Sequence, residues 1–177
     1  LYMEHMPYLD RLWFGEYFKY EKSPEYWLTD VSGIPFGMMS EMLQDGGNPY
    51  RGMLYGMTAR EPMESIPSQL WKVWDAFGIK DSRMMGYWVS YNPVKTGRND
   101  ILATSFVKDG KVMIAIASWA KKDSDIKLQI DWEKLGIDAD KARLTAPDIK
   151  GFQEGFSLSP KDKIKVPKDK GFIFILE

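Results

Sequence analysis

Residues 100–120, DILATSFVKDGKVMIAIASWA, decide the fold of the carboxy-terminal half of the chain. Two apolar-rich runs flank the four residues Lys108, Asp109, Gly110 and Lys111. An Asp-Gly pair between two such runs is a strong signal for a β-hairpin, because these residue types accept the backbone angles of a tight turn. We therefore predict two antiparallel strands joined at Asp109 and Gly110.

Further short strands are predicted between this hairpin and the end of the sequence. SDIKLQIDW (124–132) alternates apolar and polar residues, as a half-buried strand does. Four more strand segments follow with glycine and proline between them: KARLTAPDI, GFSLSP, DKIKVP and KGFIFILE. One helical turn is predicted at DWEKLGI (131–137). This pattern predicts a small antiparallel β-sandwich over residues 92–177, with lysines on its polar face and at its edges.

The amino-terminal half differs in composition. Ten of the eleven methionines and five of the seven tryptophans lie at or before Trp88, whereas fourteen of the eighteen lysines lie after residue 90. Such a shift is typical of two domains. We predict a boundary between residues 91 and 92, with the polar stretch NPVKTGRND (92–100) as the linker.

Strand and helix signals alternate in this first half. YLDRLWFGEYF (8–18) and IPFGMMSEML (34–43) are predicted strands. SPEYWLTDVSG (23–33) is a predicted helix between them, with a capping serine, a proline in its first turn and a closing glycine. IPSQLWKVWDAFGI (66–79) is a second predicted helix that Ser68 or an earlier residue caps and that Gly78 ends. One face of this helix carries Leu70, Val73, Trp74 and Phe77.

This βαβα order predicts a parallel sheet. Two or three parallel strands cannot bury both faces of a sheet, so the half needs strands that this sequence lacks. The predicted fold class is therefore α/β plus all-β: the terminal βα units of a (β/α)8 barrel over residues 1–91, followed by the sandwich. We expect the chain to be a carboxy-terminal piece of a larger protein.

Two glutamates are candidate catalytic residues. Glu16 and Glu41 stand at the carboxyl ends of the two predicted strands, where barrel enzymes carry their chemistry. A pair of carboxylates suits glycosidic bond hydrolysis, with one acting as acid and the other as nucleophile or base. Either residue could instead be an ordinary loop carboxylate, and Glu41 could form an ion pair with Arg51 or Arg60.

Polar and aromatic residues near these glutamates are candidate substrate-binding residues. They are Trp13, Tyr17, Asp45, Asn48 and Arg51. The last three lie on a glycine-rich stretch, QDGGNPYRG, which is first of all a turn signal and lacks the Lys-Ser/Thr pair of a phosphate-binding loop. Aromatic rings can stack on sugar faces, but they also fill cores. Core positions are expected for Trp27, Trp71 and Trp74.

The amino-acid composition limits the classes of partner and cofactor that are expected. The 24 basic and 25 acidic residues balance, so nucleic acid is not an expected partner. The sequence contains no run of eighteen apolar residues, which a membrane-spanning helix needs, so no membrane partner is expected. The absence of cysteine and the single histidine, His5, leave no thiolate or multi-histidine metal site, so neither a metal nor another cofactor is expected. The compartment stays open.

A family resemblance covers nearly the whole sequence. The stretch from Pro7 to Arg60, PYLDRLWFGEYFKYEKSPEYWLTDVSGIPFGMMSEMLQDGGNPYRGMLYGMTAR, resembles the carboxy-terminal region of large bacterial, Bacteroides-type glycoside hydrolases of the DUF6067 class, related to the glycoside hydrolase 123-like group. The later segments agree, among them ILATSFVKDGKVMIAIASWAKK, DWEKLGI, RLTAPDIKGFQ and KGFIFILE.

The resemblance implies a parent protein that hydrolyses a glycan, with an N-acetylated sugar as one option and with periplasmic or secreted location favoured. Better-studied relatives place an Asp-Glu pair on an earlier barrel strand and use the substrate acetamide as nucleophile. No Asp-Glu dipeptide occurs here, so that pair cannot be carried over. Residues of this chain would then line the sugar site, and the chain alone would be inactive.

Two other functions remain open at this point. The aromatic content and the sandwich also fit a non-catalytic carbohydrate-binding or structural module. Sheet edges and apolar faces left by an incomplete barrel favour self-association or docking with the amino-terminal part of the same protein. The expected partners are thus a glycan substrate and either a second copy or that amino-terminal part.

Overall fold

The structure is a computed structural model that describes residues 8–12, 18–40, 42–43, 47–59 and 67–177. Its strands, numbered in chain order, are β1 (Arg11–Leu12), β2 (Met39–Ser40), β3 (Met42–Leu43), β4 (Thr58–Ala59), β5 (Arg83–Met85), β6 (Val94–Lys95), β7 (Ile101–Lys108), β8 (Lys111–Ser118), β9 (Ser124–Ile126), β10 (Gln129–Ile130), β11 (Leu144–Ala146), β12 (Phe156–Leu158), β13 (Ile164–Val166) and β14 (Gly171–Leu176).

Its helices are α1 (Pro24–Tyr26), which continues as a π-helical turn over Trp27–Val31, α2 (Pro49–Met53), α3 (Pro67–Phe77) and α4 (Trp132–Leu135). Two 3₁₀ turns lie at Ile34–Phe36 and Ile79–Asp81. Among the described residues, no helix is long and apolar enough to cross a membrane.

The main sheet is antiparallel and has six strands in the order β12-β11-β14-β8-β7-β5. Its centre is the predicted hairpin, in which Lys108 pairs with Lys111 across a two-residue turn. Gly110 has a φ of 69°, a left-handed conformation that glycine adopts without steric cost. The hairpin prediction is confirmed, as are the strands β11 to β14 and the helical turn α4. The single strand predicted over residues 124–132 is instead two short strands, β9 and β10, which pair with different partners.

Two short strand pairs, β9 with β13 and β6 with β10, make a second layer over one face of the main sheet. The core between the layers contains Ile101, Val112, Ile114, Ile116 and Phe174, each almost fully buried. The described residues of the second half therefore form a two-layer, sandwich-like antiparallel fold, in keeping with the sequence prediction.

The other face of the main sheet is apolar as well. It carries Leu102, Phe106, Met113, Ala115 and Ile173, which pack with residues of the amino-terminal half. Helix α2 lies against β8 and β14. Both faces of the central strands are thus buried, so the second half does not present the predicted polar face there.

The amino-terminal half contains two parallel strand pairs, β1 with β2 and β3 with β4. The parallel pairing was predicted for the first two segments, whereas β4 was not predicted. Leu70, Val73, Trp74 and Phe77 of α3 face the core, as predicted. One expectation about α3 is wrong: Trp71 is 48% exposed. Ser68 lies inside the helix and does not cap it, and the earlier residues that could cap it lie outside the described residues.

One strand of the main sheet comes from the first half of the sequence. Strand β5, which was not predicted, pairs with β7 through Met84 and Phe106. The predicted division at residue 91 therefore falls between strands of the same sheet, because β5 precedes it and β7 follows it. That division stays a prediction.

The pairing of β14 with β8 leaves no room for a side chain at Gly171. An added Cβ would lie 1.8 Å from the backbone oxygen of Ile116. We expect Gly171→Ala to lower the free energy of unfolding by about 3 kcal/mol or more, measured by urea denaturation. Gly110→Ala is the control, because a Cβ there meets nothing within 4 Å and the left-handed φ alone costs about 1 kcal/mol. Equal losses in the two variants would contradict this packing.

Candidate functional site

Strand β1 runs parallel to β2, and β3 runs parallel to β4, which is the pairing that a barrel domain has. The predicted catalytic residues Glu16 and Glu41 lie outside the described residues. The same holds for the predicted sugar-binding residues Trp13, Tyr17 and Asp45. These five assignments stay predictions that rest on their positions in the sequence.

Asn48 begins helix α2 and also reaches the second half of the chain. Its Oδ1 accepts a hydrogen bond from the Arg51 backbone N–H at 3.0 Å, which caps the helix. Its Nδ2 donates to the Asp169 backbone carbonyl at 2.7 Å. Asp169 has a φ of 56°, a conformation that turns its carbonyl and side chain toward α2 in the same bend. Asn48 therefore fixes α2 to the turn before β14.

Arg51 is buried at the junction of the two halves, with 6% of the residue exposed. Its side chain donates to the Ser118 carbonyl at 3.1 Å, to the Tyr20 carbonyl at 3.0 Å and to the Asp169 carboxylate at 2.8 Å. The guanidinium also lies 4.6 Å from the centre of the Trp119 ring, within cation–π distance. Burial lowers the pKa of Arg51, while the Asp169 carboxylate opposes that change.

These contacts give Asn48 and Arg51 protein partners on both sides of the junction. The described geometry makes them the polar link between α2 and the main sheet. Their predicted role in sugar binding is left as a prediction. Their role at the junction had no sequence signal, because Ser118 and Asp169 lie 67 and 118 positions further along the chain than Arg51.

Aromatic rings surround this link. Trp27 is fully buried and stacks on Tyr55 at 6.0 Å, with the rings 16° from parallel. The edge of Trp119 meets Trp27 at 6.1 Å, and the Trp27 indole donates to the Tyr20 carbonyl at 3.1 Å. The expected core position of Trp27 is confirmed, and its indole N–H is satisfied as buried tryptophans require.

Two tyrosines, the buried Tyr55 and the half-buried Tyr87, share one acceptor next to this cluster. The hydroxyls of Tyr55 and Tyr87 lie 3.0 Å apart, and both lie within hydrogen-bond distance of the Pro24 carbonyl. Burial raises the pKa of Tyr87 to about 12, and the Glu25 carboxylate adds to the rise while the Tyr55 hydrogen bond opposes it. Burial also strongly raises the pKa of Tyr55. Neither tyrosine was singled out from the sequence.

The part of the chain that the structure describes contains no cluster of three or more histidine, cysteine or acidic residues arranged to hold a metal ion.

Comparison with known families identifies the chain. The family model described as "Glycoside hydrolase 123, C-terminal domain" matches residues 66–177, more than half of the sequence. The chain belongs to the glycoside hydrolase 123 family. A second model, described as "Glycoside hydrolase 123, TIM-barrel domain", matches residues 1–62. A search of curated proteins finds no match.

Family membership confirms the resemblance at the level of glycoside hydrolase 123. It identifies the first 62 residues as a piece of the family's barrel domain and residues 66–177 as its C-terminal domain. The Bacteroides-type and DUF6067 parts of the resemblance stay predictions. The family membership indicates a glycoside-hydrolase-like role for the chain.

Removing the buried guanidinium should cost far more than removing an exposed one. Arg51→Ala should lower the free energy of unfolding by about 3 kcal/mol, because it removes three hydrogen bonds and leaves buried carbonyls without donors. Arg98→Ala is the matched control: Arg98 pairs with Asp100 at 2.7 Å with both side chains more than a third exposed, and such pairs contribute about 0–1 kcal/mol. Urea denaturation measures both, and similar losses would contradict a structural role for Arg51.

The two tyrosines should make the fold sensitive to alkali. An unfolded tyrosine loses its proton near pH 10, whereas folded Tyr87 keeps it until about pH 12. The stabilisation is therefore complete below pH 10 and is lost as pH rises toward 12, by about 1.4 kcal/mol per pH unit for each of the two tyrosines. Urea denaturation at pH 10, 11 and 12 should show a shallower decline for Tyr87→Phe. Identical slopes for both proteins would exclude Tyr87 as the cause.

Proposed function

We propose that this chain forms the last barrel strands and the closing domain of a glycan-hydrolysing protein and supplies part of its sugar site. The observation that carries the proposal is the family membership, in which residues 1–62 match the barrel domain and residues 66–177 the C-terminal domain. A whole (β/α)8 barrel takes about 250 residues, so the matched barrel segment is a part that acts together with further strands.

Strand direction supports the position of the site. Strand β1 runs parallel to β2, and β3 runs parallel to β4, as the strands of a (β/α)8 barrel do. Trp13 directly follows β1 in sequence, and Asp45 follows β3 by two positions. In barrel enzymes the loops after the carboxyl ends of the strands, here called the barrel edge, bind the substrate.

The residue types that follow β1 and that surround β3 in sequence suit a sugar, with Glu41 standing between β2 and β3. Carboxylates such as Glu16 and Glu41 can protonate a glycosidic oxygen or accept hydrogen bonds from hydroxyls, and rings such as Trp13 and Tyr17 offer faces to sugar C–H groups. If the catalytic pair of the parent lies on an earlier strand, as the resemblance implies, the two glutamates orient the substrate instead. The substrate partner in either case is a glycan, with N-acetylated sugars first on the panel to test.

The test compares Glu16→Gln and Glu41→Gln in the longest natural polypeptide that contains this chain, assayed on a panel of N-acetylated and plain glycosides. A catalytic carboxylate should show a fall in kcat of about 10²–10⁴-fold, whereas a binding residue should mainly raise KM. Glu133→Gln is the control, because Glu133 is an exposed glutamate on α4, in the C-terminal domain.

Unchanged kinetics in both glutamate variants would remove the proposed site from this edge. A folded parent that hydrolyses none of the panel, yet binds glycans, would favour the carbohydrate-binding alternative over hydrolysis. The 177-residue chain assayed alone should show no turnover, because it supplies only part of the barrel.

A further inference from the structure

A second cleft lies on the C-terminal domain where it meets helix α2. It has a volume of about 590 Å³, within the range of roughly 300–1,000 Å³ that is typical of small-ligand sites. Its apolar lining includes Phe156 of β12 and Phe172 of β14, and its rim carries Asp148, Lys150, Glu154 and Lys170. None of these residues belongs to the barrel edge described above.

One wall of the cleft, the loop over residues 147–155, is held in a fixed shape by Gln153. The Gln153 amide donates to the carbonyls of Pro147 at 2.8 Å and Ile173 at 3.0 Å, and its oxygen accepts from the Ile173 N–H at 2.8 Å. Gly151 turns the tip of the loop with a φ of 76°. Because the loop is ordered before any ligand arrives, binding costs little conformational entropy.

Helix α2 and its cap contact both segments that line the cleft or adjoin its lining. The Tyr50 hydroxyl donates to the Phe152 carbonyl at 2.8 Å, and the two rings lie 4.5 Å apart, which ties down the loop over residues 147–155. Asn48 and Arg51 hold Asp169, which directly precedes the lining residues Lys170 and Gly171 in sequence.

The rim offers polar groups that the protein does not use. Within the described part of the chain, the side chains of Asp148, Lys150, Glu154 and Lys170 form no ion pair, and all four residues are exposed. Two carboxylates and two ammonium groups sum to no net charge. Such a rim can both accept and donate hydrogen bonds and does not favour a polyanion.

The floor of the cleft contains two phenylalanine rings. Phe156 and Phe172 meet edge to face, with centroids 5.6 Å apart and rings 89° to each other, and both are only half-buried. Half-exposed rings beside hydrogen-bonding groups match a molecule with apolar C–H faces and a polar hydroxyl rim. A neutral saccharide has that combination.

We infer that this cleft is a saccharide-binding subsite for a neutral oligosaccharide, separate from the barrel edge. The inference rests on the proposed function for the choice of glycan as the ligand class. It assigns the C-terminal domain a role in holding substrate, with Phe156 and Phe172 under the sugar ring and the four charged residues around its hydroxyls.

The experiment is an NMR titration of the isotope-labelled 177-residue chain with chitotetraose, cellotetraose and tetragalacturonate. Saturable shifts should appear at residues 148–156 and 170–172 with one or both neutral tetrasaccharides and not with the acidic one. Phe156→Ala should weaken that binding about tenfold or more, as loss of a stacking ring does. Phe36→Ala, which removes an exposed phenylalanine in the amino-terminal half, should leave the affinity unchanged.

A second variant keeps the inference testable if Phe156→Ala fails to fold. Glu154→Gln removes one rim charge without touching the floor and should weaken binding about threefold or more, while Glu133→Gln should not. No saturable shift in the cleft with either neutral probe, or preference for tetragalacturonate, would overturn the inference. NMR shifts of the cleft residues, together with no hydrolysis by the parent protein, would contradict the proposed function alone. The NMR titration measures binding and does not depend on turnover.

Discussion

The main sheet is apolar on both faces, and the rest of the structure depends on that constraint. Alternate residues of β7 and β8 point to opposite sides, so Ile114 and Met113 need different neighbours to leave water. The short strands β6, β9, β10 and β13 cover one side. The amino-terminal half, with α2, α3 and Trp27, covers the other. The C-terminal domain therefore completes its core only against the barrel segment, and the two matched family domains share a hydrophobic layer.

A buried charge fixes how the two parts meet. Arg51 gains three acceptors and the face of Trp119 at its final position, which offsets the cost of removing a guanidinium from water. A shift of α2 along the sheet would break several of these contacts at once, whereas apolar contacts tolerate sliding. Hydrophobic burial supplies the attraction between the two parts, and the hydrogen bonds of Arg51 and Asn48 fix the position of α2 along the sheet. The loop over residues 147–155, which lines the cleft, is held by the same helix through Tyr50.

The sequence predicted the features that depend on residues close together along the chain. The Asp109-Gly110 turn, the strands that follow it and the end of α3 at Gly78 were all readable, because turn and cap residues act over a few positions. Contacts between segments that are distant along the chain could not be predicted from the sequence. Strand β5 carries no clear alternation, and the Arg51 partners lie far along the chain. Trp71 was expected in the core, but it lies on the outer side of α3, where its indole donates to Thr58. For the candidate site, strand order could place Glu16 and Glu41 at one edge, whereas their geometry depends on neighbours that a single sequence does not name.

The way α2 holds two loops of the C-terminal domain has a consequence for how such proteins diversify. A recombination event that exchanged the C-terminal domain alone would bring in loops without the tyrosine, asparagine and arginine that fit them, and an apolar sheet face shaped for a different helix. A viable exchange should therefore carry α2 along with the main sheet, because Tyr50, Asn48 and Arg51 would then keep the partners that they hold in this chain. The unit of exchange is then set by the contacts between α2 and the sheet, and its boundary differs from the one between the two matched family domains.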